Sequence, residues 1–228
     1  MQLVQKCISD GYEINPNFSI LESGARLTQI ESRGWIECGM NVWLVEADPK
    51  DFASVKEKGY NVLHYALTDR VGKTEFQISL YTGWSYTTDA VINDAIKENA
   101  VNGEVVEVPC TTFEMIQKET NTIFDIMIMD IEGCEDIVLK DMKRLDKETL
   151  PKILCIECGY EWEKRKKLVL DLGYELDFYF HNNAYFSIPN TVKKKDHNIR
   201  NMNSQWPRFE WRDCLVYENE NYDTNIQT

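Results

Sequence analysis

Four acidic residues stand where apolar runs give out, and their placement is what could support chemistry in this chain. Ile126-Met127-Ile128-Met129 ends in Asp130, and Glu132 and Gly133 follow at once. Ile20-Leu21 ends in Glu22, Val42-Trp43-Leu44-Val45 ends in Glu46, and Ile153-Leu154-Cys155-Ile156 ends in Glu157. Short continuous apolar runs read as strands buried on both faces. In an open α/β sheet the carboxyl ends of such strands gather at one rim, where ligands bind. A carboxylate there can accept ribose hydroxyls, take a proton from a reacting group, or face a cation. Glu46 ends the second strand and has the place of a ribose-binding acid. Its competing use is to cap the helix that begins at Pro49.

The turn after the first strand narrows the ligand. Glu22-Ser23-Gly24-Ala25-Arg26-Leu27 holds one glycine. A pyrophosphate needs G-x-G-x-x-G so that backbone can approach it, and Glu22 would repel it. The rim therefore suits a nucleoside cofactor with a cationic inner end, as in S-adenosylmethionine, over a nicotinamide dinucleotide.

The elements that must position these acids follow from pattern. Asp48 is expected as an N-cap with Pro49 at the first helical position, on a helix that stops before Gly59. Leu27, Ile30 and Trp35 predict a short helix ending near Gly34. Residues 60–67 predict a third strand, 74–80 an antiparallel strand, 89–98 a helix and 104–108 a strand. Thr111 and Glu114 have the spacing of a capping box. Val138, Met142 and Leu145 line one helix face, and a helix over 162–172 is stopped by Gly173. Two strands flank His181-Asn182-Asn183, Lys193 to Lys195 read as a solvated loop, and 215–217 as a last strand. Strands alternating with helices predict a Rossmann-like doubly wound mixed sheet, largely parallel with an antiparallel edge. We expect a single domain over 1–218 and a disordered tail over 219–228.

Composition bounds the partners. The chain has 228 residues, a net charge of -13 and 43% hydrophobic residues. That charge speaks against a nucleic-acid backbone as partner. No apolar run resembles a signal peptide or is long enough to span a membrane, so a cytoplasmic location is expected. Seven cysteines are scattered through apolar segments. Cys155 and Cys158 form a C-x-x-C on a strand-like run, where residues three apart point to opposite faces, so buried free thiols are expected.

In order along the chain, these segments resemble the FkbM-type methyltransferases, a class I S-adenosylmethionine-dependent family. Ile20 to Ala25 is similar to that family's first-strand D-x-G-A-N motif, and Leu44 to Pro49 to its second-strand motif. Ala66-Leu67-Thr68-Asp69 with Gly72, Val108 to Phe113, and Met129 to Glu135 (the D-x-E-G-x-E core) match in turn, over roughly residues 18 to 188. Glu22 replaces the usual Asp, Arg26 the usual Asn, and Met129 a common Lys, and the second glycine is missing.

The resemblance implies methyl transfer, with O-methylation of a hydroxyl on a glycan or small molecule. It places the cofactor against Glu22, Gly24, Ala25, Arg26, Glu46, Ala47, Ala66, Leu67, Ser85 and Asp130. Arg26 would lie near the cofactor carboxylate. The candidate bases are Asp130, Glu132, Glu157 and His181, with Asp130 first because it ends the central strand. Asp130, Glu132 and Glu157 could collect a divalent metal, but a plain acidic rim is the preferred reading. Glu135 reads as the charged start of the next helix. His64 reads as structural, and Trp84-Ser85-Tyr86 could overlie the site. The rival functions are a non-catalytic nucleoside-binding module, a nicotinamide-dependent oxidoreductase lacking its glycine loop, and an RNA cap methyltransferase lacking its basic groove.

Overall fold

The computed structural model describes residues 3–28, 30–79, 85–88, 90, 103–158 and 161–199. Eleven strands among them form two sheets. The larger contains β1 (Ser19–Ser23), β2 (Asn41–Glu46), β3 (Val62–His64), β8 (Ile126–Met129), β9 (Ile153–Glu157), β10 (Glu175–Phe180) and β11 (Asn183–Ser187). Its order is β10-β11-β9-β8-β1-β2-β3. Strands β9, β8, β1, β2 and β3 are parallel, and β11 and β10 make the antiparallel edge.

The apolar runs supply both faces of this sheet. Ile126 and Ile128 pack with Val4, Ile8, Trp35 and Val55 on one side. Met127 and Met129 pack with Phe113, Val138, Leu139 and Val169 on the other. Helices Leu3–Gly11, Arg33–Glu37 and Pro49–Glu57 therefore cover one face, and Phe113–Thr120, Glu135–Met142 and Trp162–Asp171 cover its opposite. That is the doubly wound arrangement the alternation predicted. Cys155 and Cys158 belong to opposite core layers, both as free thiols. Cys38 is an exposed free thiol, unlike the buried set expected.

Several elements depart from the sequence reading. Residues 60–67 are not one strand. His64 pairs with Glu46, the last residue of β2, so the sheet offers no further partner. The chain leaves the first sheet at Tyr65, and β4 (Ala66–Leu67) joins the second sheet, order β4-β7-β5-β6, with β5 (Gly72–Gln77), β6 (Tyr86–Thr87) and β7 (Val105–Thr111). The short helix runs from Arg33 to Glu37 with Gly34 inside it. Gly34 donates its N–H to Gln5 Oε1 at 3.0 Å. Helix Leu3–Gly11, which carries Gln5, is an element the pattern did not single out. Lys194 and Lys195 are not simply solvated. Lys194 pairs with the buried Asp177, and Lys195 Nζ donates to the Ser9 carbonyl, tying this segment to the N-terminal helix. The helix expected over 89–98, apart from Ala90, and the strand over 215–217 lie outside the described residues. Among the described residues no helix is long and apolar enough to cross a membrane.

The capping residue also moves by one. Thr111 is held in the ladder opposite Leu67, so Thr112 is the N-cap, and its hydroxyl accepts from Met115 N–H. Glu114 instead pairs with Lys118 and Arg144. Thr112→Ala is expected to lower unfolding free energy by about 1 kcal/mol, and Thr112→Ser to restore it. Urea midpoints of the two variants check this.

Candidate functional site

Strand order reverses at the β1/β8 pair: β2 and β3 extend one way, β9 and its partners the other. Such a switch point opens a crevice beyond the strand ends. Here it is a cleft open to solvent. Gly24, Arg26, Glu46, Ala47, Ala66, Leu67, Ser85, Asp130 and Glu132 line it, so nine of the residues singled out in the sequence converge.

Gly24 makes the close approach possible. Its N–H donates to the Val45 carbonyl, and its φ of +86° lies in the left-handed region. A Cβ there would sit 1.8 Å from the Asp130 carbonyl oxygen. Only glycine lets the ends of β1 and β8 come this close.

The four strand-end acids part company. Glu22 does not reach the cleft: its buried carboxylate accepts from Glu31 N–H and Ser32 N–H, each at 2.8 Å, and from the Ser32 hydroxyl. Burial pushes it up to about 7, against those hydrogen bonds. Glu46 lines the cleft, and its Oε1 accepts from Asp48 N–H at 2.7 Å. Helix capping falls to Asp48, which accepts from Lys50 and Asp51 N–H. Burial, with Asp51 and Asp48 nearby, pushes Glu46 up to about 7, with the Asp48 hydrogen bond and Arg26 opposing.

The loop after β8 is shaped by charge. Glu132 has φ +51° and Gly133 +96°, two left-handed residues in succession. Glu135 holds them: its carboxylate accepts from Ile131 and Gly133 N–H, each at 3.0 Å. Glu135 in turn pairs with Arg165 at 3.1 Å, and Arg165 also pairs with Asp136 at 3.0 Å and donates to the Glu157 carbonyl. Glu135 is thus a support of the loop. Asp130 lines the cleft and is exposed to solvent there. Desolvation and the Glu135 charge raise its carboxyl above the usual range, with Arg26 opposing. Desolvation, then Glu157 and Asp130, raise Glu132 further.

Arg26 lies on the cleft wall, 3.6 Å from Asp51 in a loose ion pair. Ala25 is fully buried and contributes to the core beneath the turn. Glu157 and the turn carrying His181 share the rim further along the sheet, since Asn183 pairs with Glu157, but neither lines the cleft. His64 is structural, with Nε2 3.1 Å from the Ala47 carbonyl and its ring stacked on Phe52. Among the described residues no three carboxylate, imidazole or thiol groups gather closely enough to hold a metal ion.

Sequence reasoning missed Tyr65, Phe76, Thr87 and Cys134, which also line the cleft. Phe76 and Thr87 come from the second sheet, which stands over the strand ends as a wall, and Thr87 Oγ1 meets Cys134 Sγ at 2.7 Å. Asp51 was within reach: it stands one turn after Asp48 on a helix whose start was legible.

The family model of the methyltransferase FkbM domain matches residues 28–187. A TehB-like SAM-dependent methyltransferase from Corynebacterium glutamicum superposes with a TM-score of 0.40 at 12% identity, over 77% of this chain and 82% of that one. A search of curated protein sequences returns no match.

Proposed function

Because the chain belongs to the methyltransferase FkbM domain family, we propose that it transfers a methyl group from S-adenosylmethionine to a hydroxyl of a glycan or small molecule. The observation that carries this reading is the cleft itself. It opens at the switch point, is floored by Gly24, and sets Glu46, Asp130 and Glu132 against Arg26. These residues fit the cofactor's chemistry: acids for ribose hydroxyls and a cationic centre, a guanidinium for a carboxylate, a bare backbone for close approach. When bound, the cofactor supplies an activated methyl group on a sulfonium.

In this reading the protein binds, orients and takes a proton. Glu46 accepts from the ribose. Arg26 exchanges Asp51 for the cofactor carboxylate. Ala47, Ala66 and Leu67 give an apolar surface for the base, with Ser85 at its edge. Asp130 is the base for the acceptor hydroxyl, with Glu132 beside it. Glu157 and His181 stand on the rim toward which an acceptor would extend.

Calorimetric titration with S-adenosylmethionine tests cofactor binding. Mass spectrometry of a glycan pool incubated with enzyme and cofactor tests transfer, and absence of any methylated product from hydroxyl acceptors would refute O-methylation. Glu46→Ala is expected to weaken cofactor binding by about 1–3 kcal/mol through loss of charge-assisted hydrogen bonds. An unchanged dissociation constant would leave Glu46 with only its contact to Asp48.

A further inference from the structure

The charges facing the cleft are unbalanced. Glu46, Asp48, Asp51, Asp130 and Glu132 line it against one guanidinium, Arg26. Asp48 is engaged at the helix start and Asp51 is matched to Arg26. Behind the loop, Glu135 and Asp136 are matched to Arg165. Among the described residues Glu46, Asp130 and Glu132 form no ion pair, and no other cationic side chain lines the cleft. Their surroundings add more negative charge: Glu31 and Glu135 face Asp130, Glu135 and Glu157 face Glu132, and Asp48 and Asp51 face Glu46, while Arg26 opposes at all three and Arg165 at Asp130.

We propose that the cleft is charge-selective, holding the sulfonium form of the methyl donor in preference to the neutral thioether left after transfer, and exchanging that positive charge for a proton. This rests on the methyltransferase reading above. The two forms share their adenosine, ammonium and carboxylate, so the sulfonium charge is the term that the carboxylates can discriminate. With a hydroxyl acceptor, the oxygen–carbon bond forms as the carbon–sulfur bond breaks, and the bonding pair stays on sulfur. The hydroxyl proton passes to a cleft carboxylate. One positive charge is lost from sulfur and one gained on the carboxyl group, so the chemical step leaves the charge of the cleft unchanged. Once that proton passes to water, the carboxylates no longer gain from the ligand, and release follows.

The linkage has a defined sign. The three carboxyls hold protons to higher pH than free carboxylic acids, Glu46 to about 7. A bound cation favours their ionised forms, so sulfonium binding releases protons and strengthens as pH rises through that range. A neutral thioether lacks this gain.

The test is calorimetry of the wild-type protein with S-adenosylmethionine and S-adenosylhomocysteine at about pH 6 and about pH 8, in buffers of different ionisation enthalpy. One proton released per ligand gives up to about tenfold in affinity per pH unit. We expect the thioether-to-sulfonium ratio of dissociation constants to grow at least about fivefold between the two conditions. Buffer-dependent heat should accompany the sulfonium ligand, and Glu46→Gln should flatten the trend. A constant ratio, or tighter thioether binding at both pH values, overturns the inference while leaving the methyltransferase reading standing. Failure of both ligands to bind overturns both.

Discussion

Replacing Arg165 with alanine is expected to lower unfolding free energy by about 3–5 kcal/mol, the cost of stripping the partner from a buried ion pair. Arg165 is 2% exposed, and Glu135 and Asp136 beside it are as deeply buried. Its guanidinium reaches both carboxylates and the Glu157 carbonyl, linking the helix after β9 to the helix after β8 and to the end of β9. Without it, two acids remain in the interior with no cation at contact distance except Lys164, which stands 3.7 Å from Asp136 and is half-exposed. Arg165→Lys should recover only part of the loss, since an ammonium cannot make the fork of contacts. Urea unfolding measures both variants. A loss under about 1 kcal/mol for the alanine variant would show that water replaces the guanidinium freely.

Gly24→Ala is expected to cost about 3 kcal/mol or more, combining left-handed strain with overpacking. The added methyl must displace the Asp130 carbonyl, which parts β1 from β8 at the floor of the cleft. Cofactor binding should be lost with it. Gly39→Ala separates the two contributions: Gly39 has φ +78° but no atom within 4 Å of a built Cβ, so it carries strain alone, about 1–2 kcal/mol. Equal melting temperatures for the two variants would contradict the close approach at Gly24.

Much of the fold was legible because it depends on local chemistry. Ile126 to Met129 has no polar face, so it had to be a strand covered on both sides. Asp48 before Pro49 has the pattern of a helix start, and the helix begins there. The breaks in legibility lie where a partner from elsewhere in the chain decides. The break between β3 and β4 within 60–67 is set by where β2 ends, and Thr111 is kept from capping by Leu67.

The sequence by itself determined that acids follow buried strands, that the first turn is poor in glycine, and that the ordered motifs match one methyltransferase family. Glu22 and Glu46 look alike at that level, each an acid ending an apolar strand. Only the tertiary structure separates them. The loop after β1 folds back and delivers the N–H groups of Glu31 and Ser32 to Glu22, which consumes its carboxylate. The helix after β2 starts at once and is capped by Asp48, so Glu46 spends one oxygen on Asp48 N–H and still lines the cleft. Hydrogen-bond donors in a folded protein come from wherever the chain returns, and no local pattern records that return.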